Sequence, residues 1–267
     1  MSGVLEVTIL GCGSSGGVPR ADGDWGACDP AEPKNRRTRC SLLVRRQGEG
    51  AETTVLVDTS PDLREQAIAA GIKRIDAVLF THDHADQVHG IDDLRAFFLR
   101  QRARIPAWMD RATRAVLHNR FGYIFENTGG YPAILSATDL PAHGVPFEID
   151  GSSGAIPVTT FDQEHGHIRC VGYRFGPVAY SPDVNGLPED AFAALAGVDT
   201  WIVDALRHTP HPTHAHLERT LDWITRVKPR RAILTNMHID MDYNSLRAQL
   251  PAGVEPAFDG MTVEIAL

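Results

Sequence analysis

Basic charge is scarce in this 267-residue sequence: 26 Lys and Arg stand against 34 Asp and Glu, a formal net charge of −8. A dedicated duplex-DNA binder is excluded, because it needs a broad cationic surface to neutralise phosphates. Long apolar runs are missing as well. No stretch approaches the roughly 20 residues of a membrane span, and the first ten residues lack a basic segment ahead of an apolar one, so a cytoplasmic protein with no membrane partner is expected. Cysteine is limited to Cys12, Cys28, Cys40 and Cys170 with no C-x-x-C pair. Buried reduced thiols are expected rather than a disulfide framework, since a chain of this length can bury roughly three-quarters of its extended surface unaided. No linker or low-complexity tract divides the chain. What is plentiful is histidine, twelve in all, with His82, His84 and His89 close together and His208, His211, His214 and His216 in a second group.

The patterning reads as strands at 4–10, 40–46, 53–58 and 75–80, with a helix opening at Ser60-Pro61-Asp62 and closing at Gly71. Strands at 156–161, 169–175, 178–181, 200–205 and 231–235 and helices near 189–195 and along the Leu217, Leu221, Ile224, Val227 stripe repeat the pattern. Strands first and helices later in each half predict one α/β domain over 1–267, a four-layer αββα sandwich. Residues 100–145, irregular and carrying Trp108, Tyr123 and Tyr131 among Pro and Gly, read as a capping insertion.

Two short motifs are weaker than they look. Gly11-Cys12-Gly13-Ser14-Ser15-Gly16 matches a dinucleotide fingerprint and Gly13 to Gly17 a nucleophile elbow, but both must open a helix. Gly17-Val18-Pro19 and Asp22-Gly23-Asp24 cannot start one. These glycines are better explained by close backbone approach.

Thr81-His82-Asp83-His84-Ala85-Asp86 follows an apolar strand and carries the sharpest signal. Residues two apart in extended chain point the same way, so His82 and His84 can face one ion while Asp86 reaches a neighbouring position. Imidazole suits Zn, Mn or Fe, and the carboxylate suits a harder ion.

Here the sequence resembles the metallo-β-lactamase superfamily, whose members carry T-H-x-H-x-D-H-x-x-G at this place and fold as an αββα sandwich. The Gly-rich loop, Asn35-Arg36-Arg37, His89-Gly90-Ile91-Asp92-Asp93-Leu94-Arg95, His165-Gly166 and Asp204-Ala205-Leu206-Arg207 to His214 are similar to the PhnP-like branch, which contains phosphoribosyl cyclic phosphate phosphodiesterase. The resemblance implies further metal ligands at His165, Asp183 and His238, beside His82, His84 and Asp86. His167 is the rival of His165, and Asn236 of His238. Gln87 stands where the superfamily has His, which implies one firm site on His82, His84, His165 and Asp183 and a weaker second site on Asp86, Asp183 and His238. The branch's Cys-rich zinc clip is reduced to Cys28.

The implied activity is a metal-dependent phosphodiesterase using Zn2+ or Mn2+ to activate water, with Asp86 and His214 as catalytic residues, His214 as leaving-group acid and His211 as its alternative. The implied partner is a small, possibly cyclic, phosphorylated ribose or nucleotide, and a homodimer is compatible with it. Two other readings are a tRNA-processing-type nuclease of the same fold, against which the lack of a basic arm counts, and a non-catalytic metal- or nucleotide-binding module. Lys34, Arg36, Arg37, Arg39, Arg45 and Arg46 are expected to be mostly solvated, with one or two steering an anion.

Overall fold

Strand alternation sorts the apolar residues into layers. The computed structural model describes residues 4–48 and 50–266. In β1 (Val4–Gly11), Leu5, Val7 and Ile9 face the space between two sheets, whereas Leu10 turns outward. In β2 (Ser41–Gly48) and β3 (Ala51–Val57), Leu42, Val44, Val55 and Val57 point inward and Leu43 and Leu56 outward. Period-2 alternation with both faces apolar means a sheet covered on each side. Its outer cover is α1 (Leu63–Ala69), α3 (Leu94–Gln101) and α4 (Arg111–Phe125), which contribute Leu63, Leu94, Phe97, Leu117 and Ile124. The four-residue α2 (Ala85–Val88) lies between the first two of these helices. Each fully buried aliphatic or Phe side chain stabilises the fold by roughly 1.5–3 kcal/mol before entropy is counted.

The first sheet has the order β14-β1-β2-β3-β4-β5-β6, with β4 at Ala77–Leu79, β5 at Ile105–Met109, β6 at Leu135–Asp139 and β14 at Met261–Ala266. Residues 100–145 are therefore corrected. They are no cap: they supply β5, α4 and β6, which extend this sheet and cover its outer face. The second sheet runs β13-β12-β11-β10-β9-β8-β7. Its strands are β7 (Phe147–Ile149), β8 (Ile156–His165), β9 (Ile168–Phe175), β10 (Val178–Ser181), β11 (Thr200–Asp204), β12 (Arg231–Thr235) and β13 (Val254–Pro256). Helices α5 (Glu189–Leu195), α6 (Leu217–Val227) and α7 (Tyr243–Gln249) pack on it through Ala191, Leu195, Leu217, Trp223 and Leu246, completing the αββα sandwich.

Direction within the sheets places the site. β10, β11 and β12 are mutually parallel, and β9 is antiparallel to both β8 and β10, so β8, β10, β11 and β12 all end at one edge. Those ends carry His165, Asp183, Asp204 and Asn236. Parallel β3 and β4 deliver Asp58 and His82. Loops beyond the carboxyl ends of such strands are the usual binding edge of α/β sheets.

No α-helix follows β1 before α1, so the glycine-rich stretch binds no pyrophosphate in the manner of a dinucleotide fold. A Cβ on Gly11 would lie 2.1 Å from the Arg39 carbonyl oxygen, and Gly17 has φ +67°. Asp259, just before β14, accepts from Cys12 N (3.1 Å), Thr38 N (2.7 Å) and Thr38 Oγ1 (2.6 Å), hooking this loop to the last strand. Arg37 departs from the solvated reading of the basic run. It is fully buried and donates to Met241 O (2.7 Å) and Asn35 Oδ1 (3.2 Å).

Asp242 caps α7, accepting from Ser245 N (2.9 Å), and also receives Asn35 Nδ2 (2.6 Å). Burial opposes its charge, yet hydrogen bonds from Ser245, Asn35 and Asp29 hold this carboxyl down at about 2. Asp242→Ala should lower unfolding free energy by about 1–2 kcal/mol in urea titration near neutral pH. A folded-state pKa below the unfolded value gives stability that is lost on acidification. The difference between the two proteins should therefore shrink as pH falls from about 4 towards 2.

Candidate metal centre

Each imidazole is fixed by what its other nitrogen does. Thr81 spends its hydroxyl proton on Asp58 Oδ2 (2.8 Å), and its N–H donates to Asp58 Oδ1 (2.8 Å). Its hydroxyl oxygen is thereby the acceptor for His82 Nδ1–H at 3.0 Å, which leaves the lone pair on His82 Nε2. That Nε2 is buried with no hydrogen-bond partner. His165 Nδ1–H donates to Thr213 O (2.7 Å), again leaving Nε2 as the free donor atom. His84 Nδ1 lies 3.1 Å from His165 Nε2, and Asp183 Oδ2 lies 3.8 Å from both His82 Nε2 and His165 Nε2.

Burial and the neighbouring imidazoles hold His82 well below the usual histidine range. Burial and the His214 charge bring His165 down to about 3, against its bond to Thr213. Both rings are neutral near pH 7 and present lone pairs. Burial pushes Asp183 far above the usual carboxylate range. An unpartnered buried nitrogen, two imidazole nitrogens facing each other and a desolvated carboxylate fit one divalent cation, with the carbonyl and hydroxyl behind the rings setting their tautomers.

Beside this group stands a second pair. His214 Nδ1–H donates to Asp204 Oδ2 at 2.8 Å, and its ring centroid is 4.6 Å from that of His165. Burial works against a charged His214, but Asp204, with Asp183 and Asp86 farther off, raises it to about 9. Val184 N (3.1 Å) and the Asn236 amide also donate to the wholly buried Asp204.

A family model described as the beta-lactamase superfamily domain matches residues 53–239, which contain every residue named in these two groups. The chain belongs to this superfamily. It is PhnP-like: a crystal structure described as a new diphosphatase from the PhnP family aligns at 35% identity and TM-score 0.87, covering 100% of this chain and 99% of that one. Zn2+-bound PqqB from Methylobacterium extorquens aligns at 21% identity and TM-score 0.73, over 97% of this chain and 99% of that chain, a likeness of fold. An octanoyltransferase of Porphyromonas gingivalis is 28% identical over 262 residues, 96% of this chain and 51% of that protein, so the chain spans about half of that relative's length. The chain has the metallo-β-lactamase fold, and this fold implies a divalent metal.

In this superfamily member the structure gathers His82, His84, His165 and Asp183 into one place and leaves other predicted residues outside it. His167 is exposed, and His89 is exposed against Phe121. Asp86, at the start of α2, falls in neither compact donor group among the described residues. It lines a cleft of about 590 Å³ with Ser15, Gly16, Arg20 and Arg39. His238 is also outside both groups. Its Nδ1–H donates to Asp240 Oδ1 (3.0 Å) and its Nε2 accepts from Arg20 Nη2 (2.6 Å), so neither nitrogen is free. His211 lies near His214, ring centroids 5.2 Å apart, on the wall of a 270 Å³ cavity that also includes Arg20, Arg207, His214 and His238.

Sequence reasoning missed Asp58, Thr213, the Asp204–His214 pair and Arg20. Asp58 had a visible signal, an acid directly after an apolar strand and, as the structure shows, at φ +61°. The helix expected to open at Ser60-Pro61-Asp62 has Asp62 at its N-cap position, where the Ser60 hydroxyl accepts from Asp62 N at 3.2 Å and the Asp62 carboxylate pairs with Arg39 at 2.9 Å.

Proposed function

We propose that this protein is a metal-dependent phosphodiesterase acting on a small anionic phosphoric ester, of the kind found in phosphorylated riboses and nucleotides. The observation that carries the reading is the His82, His84, His165 and Asp183 donor group standing directly against the His214–Asp204 pair. A divalent cation on the four donors would acidify water and stabilise charge on a phosphoryl oxygen. His214, charged through its bond to Asp204, is placed to hold a proton for the leaving oxygen, with Asp204 fixing the ring. Arg20 borders both clefts, and Arg39 the one that reaches Asp86, so an anion entering meets positive charge in an otherwise acidic protein. The diphosphatase relative supports phosphoric-ester chemistry, and the Zn2+-bound relative supports the metal.

The test is hydrolysis of bis-p-nitrophenyl phosphate, followed by a panel of cyclic and linear ribose phosphodiesters and diphosphate esters. Turnover should vanish with a chelator and return with Zn2+ or Mn2+. Cleavage confined to structured RNA would favour the nuclease reading, and metal binding with no turnover on any ester would make the protein a binding module.

A further inference from the structure

The donor set is complete for one cation and incomplete for two. Asp183 divides its oxygens between two neighbours. Oδ2 faces His82 and His165, while Oδ1 accepts from Gln87 Nε2 at 3.2 Å. The side of the carboxylate turned from the three imidazoles therefore meets an N–H proton. Gln87 is wholly buried on α2; its backbone carbonyl accepts from Thr59 N (2.8 Å) and its N–H donates to His84 O (3.0 Å). These bonds fix the main chain of the turn that carries His84 and Asp86, and the side chain is held by its bond to Asp183. Its Oε1 is buried and has no partner, so Asp183 fixes the amide's orientation. Reversing the amide would set oxygen against carboxylate oxygen.

The next position is equally poor in donors. Asn236, buried with φ +58°, places its amide nitrogen 3.0 Å from His214 Nδ1 and donates to Asp204. His214 Nδ1 is spent on Asp204, and both nitrogens of His238 are spent on Arg20 and Asp240. Among the described residues a second compact donor group, His165, Asp183 and His214, shares His165 and Asp183 with the first site, so His214 is its one donor not already used, and Asp86 lies outside it. An amide supplies no charge and no imidazole-type nitrogen, which is a weak basis for a zinc-like ion.

We infer that this protein is a single-metal hydrolase: His82, His84, His165 and Asp183 hold one divalent cation, and Gln87 and Asn236 close the neighbouring position to a second. The inference rests on the metal-dependent reading but not on the substrate. Positive charge beside the closed position then comes from Arg20 in the cleft.

Metal counting decides it without an assay of turnover. The protein is saturated with Zn2+ and, separately, Mn2+, desalted, and measured by inductively coupled plasma mass spectrometry with circular dichroism as the folding control. One ion per chain is expected, and two overturn the inference. The Gln87→His/Asn236→His double variant should rise to two; a folded double variant that stays at one removes these amides as the cause. His238→Ala should keep its ion, and losing it would make His238 a ligand. Should the double variant not fold, the wild-type count still decides. A count of zero would strike at the metal-dependent reading itself, an outcome distinct from a count of two.

Discussion

His82→Ala should retain no tightly bound metal and should lose at least about 10³ in kcat/KM on any phosphodiester the protein turns over. His82 Nε2 is buried and without a hydrogen-bond partner, a state that costs roughly 1–3 kcal/mol unless a ligand repays it. Truncation removes one of three imidazole donors from a set that has no spare, because His89 is exposed and His238 is engaged by Arg20 and Asp240. Lewis-acid stabilisation of a developing phosphoryl charge is worth several kcal/mol, and about 4 kcal/mol corresponds to roughly 10³ in rate. Thr81 keeps both bonds to Asp58 in the variant, so the strand end should hold its shape. Metal content and kcat/KM are to be measured together, with His89→Ala as the control that changes neither. A variant that keeps its ion would remove His82 from the ligand set.

The second large effect belongs to the His214–Asp204 pair. His214→Ala should cut kcat by about 10²–10⁴ while metal content stays at the wild-type value, the range expected for loss of a positioned acid. Asp204→Asn separates charge from shape. An acid must be protonated to act, so the rate falls as pH rises through its pKa. Asp204 raises that pKa, against the effect of burial, to about 9. Without the carboxylate charge it should drop towards the ordinary histidine value of about 6.5, and the alkaline limb of the kcat profile should move to lower pH by one unit or more. A bound cation nearby pulls both profiles down, so the difference between variant and wild type is the quantity to read. Loss of metal from His214→Ala would make it a ligand instead, and an unmoved limb in Asp204→Asn would end its role as the group that sets the proton affinity.

Local features of the sequence carried well into the structure. Arg231–Thr235 and Glu189–Leu195 occur with the bounds their patterning implied, and the Leu217 stripe became Leu217–Val227. His82 and His84 were visible because an apolar strand ends where the polar residues begin. What could not be read depended on distant partners. Pro106 hid β5, which pairs with strands on both sides although Pro lacks an N–H donor. Asn236 and His238 looked interchangeable until the structure set one against Asp204 and the other against Arg20, 218 positions away. Gln87 was legible as a substitution, but that its amide proton occupies Asp183 Oδ1 is a fact of tertiary packing. The basic run misled for the same reason: Arg37 is buried against the Met241 carbonyl.

The pairing of β14 with β1 has a consequence for how the molecule comes into being. Val4 to Ile9 lie opposite Ala266 to Met261, so β1 is completed on one side by a strand made long after it. Asp259, which anchors Cys12 and Thr38, arrives from the ribosome at the same late moment. Until then β1 has an open edge, the kind of surface that invites pairing with another chain. Contacts of such long sequence separation are slow to close. The loop that borders the candidate site is thus fastened only after residue 259 has been made, and a chain cut short before that residue would carry all of the candidate metal donors yet lack the anchor that holds that loop.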